Sequence, residues 1–182
     1  MTYPEKPLDP SKIFVQADCF CKALEILCGV NPNDTQAIVI TGEPGMVLGA
    51  LTIEMFLKCL VSIESGDVPR IHNLRELFGK LSLPTRSRIQ QGWDEIAAHR
   101  AEQWNQLEKR LGIAMARDLP SALAAGADPS RQIRYSYEGN TDRLKYYIHD
   151  LPQLLEKIVL EIKPEWQTLR RNYQPLPPSS IH

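Results

Sequence analysis

The sequence predicts a single domain that is mainly α-helical. Apolar residues recur at intervals of three and four in several long segments, and capping residues, Gly and Pro bound these segments. Only one stretch combines aromatic and β-branched residues in the manner of extended chain, at 133–150. A length of 182 residues suits one domain. We expect that domain to span 10–172, with mobile tails at 1–9 and 173–182.

The first half of the chain predicts three helices. Ser11 is the expected N-cap of the first, whose apolar stripe runs to Cys28 before Gly29 stops it. Residues 31–45 hold turn-forming residues at both ends and are predicted to connect it to the next helix. A central helix from about 46 to 64 follows, apolar on nearly every side, and a short helix from about 72 to 81 comes after Pro69.

The second half predicts a long helix, an extended segment and a last helix. The long helix begins at Pro84 and runs to about Arg110. Residues 133–150 form two aromatic runs around a Gly-Asn turn, which favours a hairpin or two extended pieces. Asp150 then caps the last helix, which has Pro152 in its first turn. Its core stripe extends to Trp166.

Composition indicates a soluble cytoplasmic protein. Hydrophobic residues make up 43% and charged residues 24%, and no apolar run reaches the ~18 residues that span a bilayer. The first ten residues lack the basic and apolar regions of a secretory leader. The four cysteines predict reduced thiols, and no Cys-x-x-Cys spacing exists to bind a metal. No cofactor is expected, and a net charge of −1 argues against general polyanion binding.

Glu54 and Lys58 are the two charges of the central helix. They lie four residues apart on a stripe shared with Leu51 and Val61, so they should face packed protein. We interpret them as a buried ion pair that fixes helix register. The alternative is an acid/base pair whose pKa values burial moves toward neutrality.

This central pattern resembles the HEPN domains (higher eukaryotes and prokaryotes nucleotide-binding). The similarity lies in Ala50, Glu54 and Lys58, in the His-Asn-Leu run at His72 with Leu77 beyond it, and in the Arg-Tyr pair Arg134 and Tyr135. The resemblance implies an all-α bundle of five to six helices with a short extended or hairpin segment before the last, commonly as a homodimer. It also implies a function in binding nucleotides or RNA, in some members beside an antitoxin or a nucleotidyltransferase.

The ribonuclease members of that family carry Arg, four to six residues, then His near the start of the last helix. Arg143 and His149 provide one match. Such a pair would supply proton transfer and a cation for cleavage by the 2′-hydroxyl of the RNA. Asp150 and Pro152 place the match before the helix, however, and in extended chain residues six apart lie ~20 Å from each other. A metal-independent endoribonuclease is therefore the alternative function.

A basic stretch offers the preferred ligand site. Between 68 and 91, five cations face only one acid, Glu76. Arg70, His72 and Arg75 are predicted to hold a phosphate at the start of the short helix, with Arg134 and Tyr135 as further contacts. Trp166, Leu169 and Tyr173 are predicted to form a dimer interface. The sequence thus favours a non-catalytic, dimeric protein that binds nucleotide or RNA phosphate, with a purely structural interaction module as the third hypothesis.

Overall fold

The prediction of an all-helical fold is confirmed by a computed structural model of the protein. The structure describes residues 9–29, 35–112, 114, 116–125 and 149–170. These residues form six α-helices and a final 3₁₀ helix: α1 (Pro10–Cys28), α2 (Thr35–Ser65), α3 (Leu74–Lys80), α4 (Leu83–Leu111), α5 (Leu119–Ala125), α6 (Leu151–Ile162) and the 3₁₀ helix Pro164–Leu169. The predicted hairpin falls almost wholly outside the described residues.

Helix α2 is the centre of the fold, and α1 packs along it in the antiparallel direction. The Cys59 thiol lies 3.6 Å from the carbonyl oxygen of Pro10, at the start of α1. At the other end, a Cβ added to Gly45 would lie 3.2 Å from the Cys28 sulfur. Small residues on α2 therefore let α1 approach closely along its whole length. The core side chains of α2 are Ile53, Phe56, Leu57, Cys59 and Leu60.

Helix α2 begins earlier than the sequence indicates. Its first residue is Thr35, so the predicted connector 31–45 is wrong for most of its length, and Pro44 lies inside the helix. A proline there lacks one backbone donor and normally breaks a helix. Here the buried residues Gly45 and Gly49 pack against α1 immediately after it, and that tertiary contact favours continuation of the helix.

One segment of the described chain, Ile40–Ser65, is long and apolar enough to cross a bilayer by length and composition. An 18-residue window within it has a mean hydropathy of 1.9, and 56% of that window is buried inside the fold. The segment is not an uninterrupted apolar run, because Glu54 and Lys58 lie within it. The burial of this segment is that of a core helix.

A polar cluster joins the end of α2 to the start of α4. Ser82, not Pro84, begins the long helix and accepts a hydrogen bond from the Thr85 backbone as its N-cap. The Glu64 carboxylate accepts hydrogen bonds from Ser82 N at 2.7 Å, Ser82 Oγ at 2.8 Å and Thr85 Oγ1 at 2.6 Å. The cap is therefore itself held by α2, which fixes where α4 leaves the core.

Helices α4 and α6 cross at Gly92. A Cβ placed on Gly92 would lie 2.5 Å from Leu154 Cδ1, so only a glycine fits at this crossing without movement of Leu154. Next to it, Trp93 is fully buried and donates from Nε1 to the carbonyl oxygen of Arg117 at 2.8 Å. Leu107, further along α4, is 37% exposed.

The last helix ends at Ile162, and Trp166 lies in the following 3₁₀ helix. The Trp166 ring packs 5.5 Å, centroid to centroid, from Phe14 in the core. Trp166 therefore packs within the chain itself. Among the described residues of the predicted dimer interface, the exposed one is the aliphatic Leu169, which is 39% exposed. Tyr173 lies outside the described residues.

Candidate functional site

One carboxylate oxygen connects the charged pair of α2 to the histidine before α3. Glu54 Oε1 lies 2.8 Å from Lys58 Nζ and 3.0 Å from His72 Nδ1. The Lys58 and Glu54 side chains are 12% and 15% exposed, whereas the His72 side chain is 79% exposed. The Glu54–Lys58 ion pair is thus largely buried, and Glu54 contacts an imidazole that is exposed to solvent.

This arrangement orients the imidazole. A proton on Nδ1 can be donated to Glu54, which leaves Nε2 facing away from the protein. A protonated His72 ring could then donate from Nε2 to an anion, while Lys58 balances the charge of Glu54. His72 thus completes the hydrogen bonding of the Glu54–Lys58 ion pair, which is a structural role, and its ring does not cap α3. Asn73 caps α3 instead, accepting from the Glu76 backbone at 3.1 Å.

The predicted phosphate ligands Arg70 and Arg75 lie on either side of His72 in the chain, and both are exposed. Arg75 is in the first turn of α3, which starts at Leu74. Two other members of the basic stretch serve elsewhere: Arg88 pairs with Glu161 of α6, and Arg86 lies on the outer face of α4. Arg70 and Arg75 are therefore the members of the basic stretch that lie within three residues of His72, whereas Arg86 and Arg88 belong to α4.

Arg143, Arg134 and Tyr135 lie outside the described residues. His149 is described, directly before Asp150 at the start of α6, and more than a third of it is accessible. Desolvation by surrounding atoms nevertheless lowers the pKa of its imidazole, and the adjacent Asp150 carboxylate acts in the opposite direction.

Asp150 does not cap α6 with its side chain, contrary to expectation. It instead accepts a hydrogen bond from Arg100 Nη2 at 2.9 Å and lines a cleft of about 440 Å³ between α4 and α6. The basic residues His99 and Lys157 line the same cleft, together with the acidic Glu95. The cleft depends on the close crossing of α4 and α6 at Gly92, which gives no signal in the sequence.

A second polar cluster is buried in the core. Asp18 of α1 is fully buried and Glu156 of α6 is 6% exposed, and Arg170 reaches both from the end of the 3₁₀ helix. Burial raises the pKa of Glu156, Arg170 and Lys22 lower it, and the neighbouring Asp18 raises it further. In the sequence, Asp18 follows Ala17 and Glu156 follows Leu155 within the apolar stripes of α1 and α6. A carboxylate at such a position is the signal that could have indicated a buried polar cluster.

The described residues contain no group of three or more His, Cys, Asp or Glu side chains that could hold a metal ion. The cysteines in this part of the chain are free thiols, with Cys21 and Cys59 buried. Burial raises the pKa of each of these two thiols to about 12, so neither is a reactive nucleophile. Comparison with known proteins yields no matching family model, no matching curated protein and no matching solved structure.

Proposed function

We propose that this chain is a HEPN-like, cytoplasmic, dimeric protein that binds the phosphate groups of a nucleotide or RNA without cleaving them. The observation that carries the proposal is the exposed His72 imidazole held by Glu54, with exposed Arg70 and Arg75 next to it in the chain. Phosphate recognition commonly uses such cations together with a positioned hydrogen-bond donor.

Charge compensation supports an anionic ligand at this position. Glu54 would repel a phosphate if its charge were unbalanced, but Lys58 lies 2.8 Å from it in a largely buried pair. The exposed Arg75 guanidinium, three residues from His72 in the chain, then supplies positive charge for the ligand. Glu54 can then orient the ring without making the site acidic.

Binding of a fluorescent single-stranded oligoribonucleotide, followed by anisotropy, tests this proposal. We expect Arg75→Ala and His72→Ala to weaken binding, and each lost phosphate contact to reduce the slope of log K against log salt by about one. Lys109→Ala, which removes an exposed cation at the far end of α4, is the matched control. Equal affinity for the wild type, Arg75→Ala and His72→Ala would contradict the proposal.

The endoribonuclease remains the second candidate because His149 lies at the start of the last helix, beside a cleft that Arg100 and Lys157 line. A ribonuclease using the RNA 2′-hydroxyl should remain active in EDTA and leave a 2′,3′-cyclic phosphate. His149→Ala and Arg143→Ala should each abolish that cleavage. We expect the purified wild type to leave RNA intact, and cleavage that is lost only in these variants would favour the ribonuclease.

A further inference from the structure

The outer face of α4 carries a groove of about 700 Å³ whose lining changes character along the helix. Its first part contains Leu83 and Arg86, with Phe78 of α3 beside them, and its second part contains Asp94. Gln90 lies midway between the arginine and the aspartate, four residues from each. One helix face thus presents a cation and an anion at equal distances on either side of an amide.

We propose that this face binds a second copy of the chain, with the two α4 helices antiparallel about a two-fold axis that passes near Gln90. In a two-fold interface the same patch of both subunits meets itself in reverse order. Arg86 of each copy would then face Asp94 of the other, one turn from the axis. The two Gln90 amides would meet at the centre, where each offers a donor and an acceptor.

Arg86 is the residue that most needs this partner. Its Nε atom is buried, and the Arg86 side chain makes no hydrogen bond or ion pair with the rest of the described chain. It also lies in the first turn of α4, where the helix dipole disfavours a cation. A carboxylate supplied by a second copy would pair with the guanidinium through its Nη atoms and offset the positive charge at the helix end.

Asp94 is prepared to act as that carboxylate. Gln90 Nε2 donates to Asp94 Oδ1 at 2.8 Å, which orients the side chain across the groove. The other oxygen, Oδ2, makes no hydrogen bond within the described residues and can accept from a guanidinium. The exposed Asp94 is therefore held in position without being neutralised, since its partner is an amide.

Apolar contacts would flank the charged pairs. Leu83 is 68% exposed, the largest exposure of any large apolar side chain in the described residues. The antiparallel arrangement brings it toward Ala98, which lies eight residues beyond Gln90 and also lines the groove. A leucine opposite an alanine suits two helices packed at the usual ~8–10 Å.

This inference rests on the dimeric form in the proposed function, but it does not depend on the ligand. Nine residues of each copy line the groove, whereas a stable interface uses roughly 20–30 residues per partner. We therefore expect reversible association in the micromolar range. Because charged pairs contribute, added salt should weaken it.

Sedimentation velocity of the full chain over the micromolar range tests the interface by charge reversal. Arg86→Glu and Asp94→Arg should each shift the wild-type dimer toward monomer by tenfold or more in Kd. The double variant should regain association, because the pair is restored with its charges exchanged. Arg110→Glu, an exposed change in the last turn of α4 and outside the groove, should leave the dimer unchanged.

A monomeric wild type throughout this range would overturn the inference, as would a dimer unaffected by Arg86→Glu. Failure of the double variant to regain association, with its helical content intact by circular dichroism, would also overturn it. Binding of the oligoribonucleotide by the same proteins separates this inference from the phosphate site. Loss of RNA binding in His72→Ala with an unchanged dimer, for example, concerns the ligand alone.

Discussion

Arg170 Nη2 lies 2.7 Å from Glu156 Oε1 inside the fold, and the same guanidinium has its Nε 3.7 Å from Asp18 Oδ1. One cation thus faces two carboxyl groups, with Lys22 as a further positive charge nearby. Burial disfavours the charged form and raises the pKa of Glu156, while the Arg170 guanidinium and Lys22 act in the opposite direction. The C-terminal 3₁₀ helix is therefore joined to α1 and α6 by a cluster whose charge depends on pH.

The stability of Glu156→Gln relative to the wild type should increase as pH rises from acid to neutral. The pKa of Glu156 is raised by folding above its ordinary value of 4.5, so its contribution to stability is complete below that value and is lost as pH rises through the folded pKa. Gln cannot ionise. The free energy of unfolding of the variant minus that of the wild type should therefore increase with pH in urea titrations.

The control for this measurement is Glu165→Gln, an exposed change in the 3₁₀ helix next to Trp166. Its difference from the wild type should show little dependence on pH. A difference in unfolding free energy between Glu156→Gln and the wild type that stays constant from acid to neutral pH would contradict a raised pKa for Glu156.

Lys58→Met should be tolerated better than Lys58→Ala. Both variants remove the cation beside Glu54, but Met preserves most of the buried volume of the aliphatic stem. We expect each to lower the free energy of unfolding, with Ala worse by about 1–2 kcal/mol because it also leaves a cavity. Chemical denaturation followed by tryptophan fluorescence measures this, with exposed Lys80→Met as the control. Equal stability of the two Lys58 variants would contradict the expected packing contribution.

Gly92→Ala should destabilise the crossing of α4 and α6. The added Cβ would lie 2.5 Å from Leu154 Cδ1, so the Leu154 side chain has to move. This movement should cost about 1–3 kcal/mol, from which the better helix propensity of Ala subtracts. Gly79→Ala in α3 meets nothing within 4 Å and serves as the matched control. Adding Leu154→Ala to Gly92→Ala should cost less than Leu154→Ala costs in the wild type. Strict additivity in this thermal-unfolding cycle would show that the two residues do not clash.

Glu64→Ala should lower stability by about 1–2 kcal/mol, because it removes the acceptor that holds the α4 cap. Partial burial raises the pKa of Glu64, but the hydrogen bonds from Thr85 and Ser82 lower it more. The stabilisation is therefore present above the ordinary value of 4.5 and is lost as pH falls through the folded pKa. The free energy of unfolding, measured at neutral and at acid pH, should differ between Glu64→Ala and the wild type at neutral pH and become equal in acid. The exposed change Glu76→Ala should show no comparable dependence on pH.

The sequence predicted the helical elements well where local rules act alone. The stripe of α1 and the four-residue spacing of Glu54 and Lys58 required only helical periodicity. The start of α2 was wrong because Pro44 and its neighbouring glycines are locally turn-forming, while packing against α1 determines the outcome. Propensity is a weak guide where tertiary contacts oppose it.

The candidate sites were less predictable because their members are distant in sequence. His72 meets Glu54 across 18 residues, and the path of the loop between them sets that contact. Asp18 and Glu156 belong to the first and last α-helices of the described chain. Their proximity follows from how the bundle closes around α2. Residues that meet only through tertiary packing give no periodic signal along the chain.

The central position of α2 also has a consequence for folding during synthesis, because its apolar surface is exposed until the helices that pack against it have been made. When the apolar segment Ile40–Ser65 has been synthesised, α1 is available to cover part of it, whereas α6, which also packs against α2, begins about 85 residues later. A chain that ends before Leu151 would lack α6 and would expose the apolar surface of α2 to chaperones and to other nascent chains. Completion of the core therefore has to wait until α6 has been synthesised.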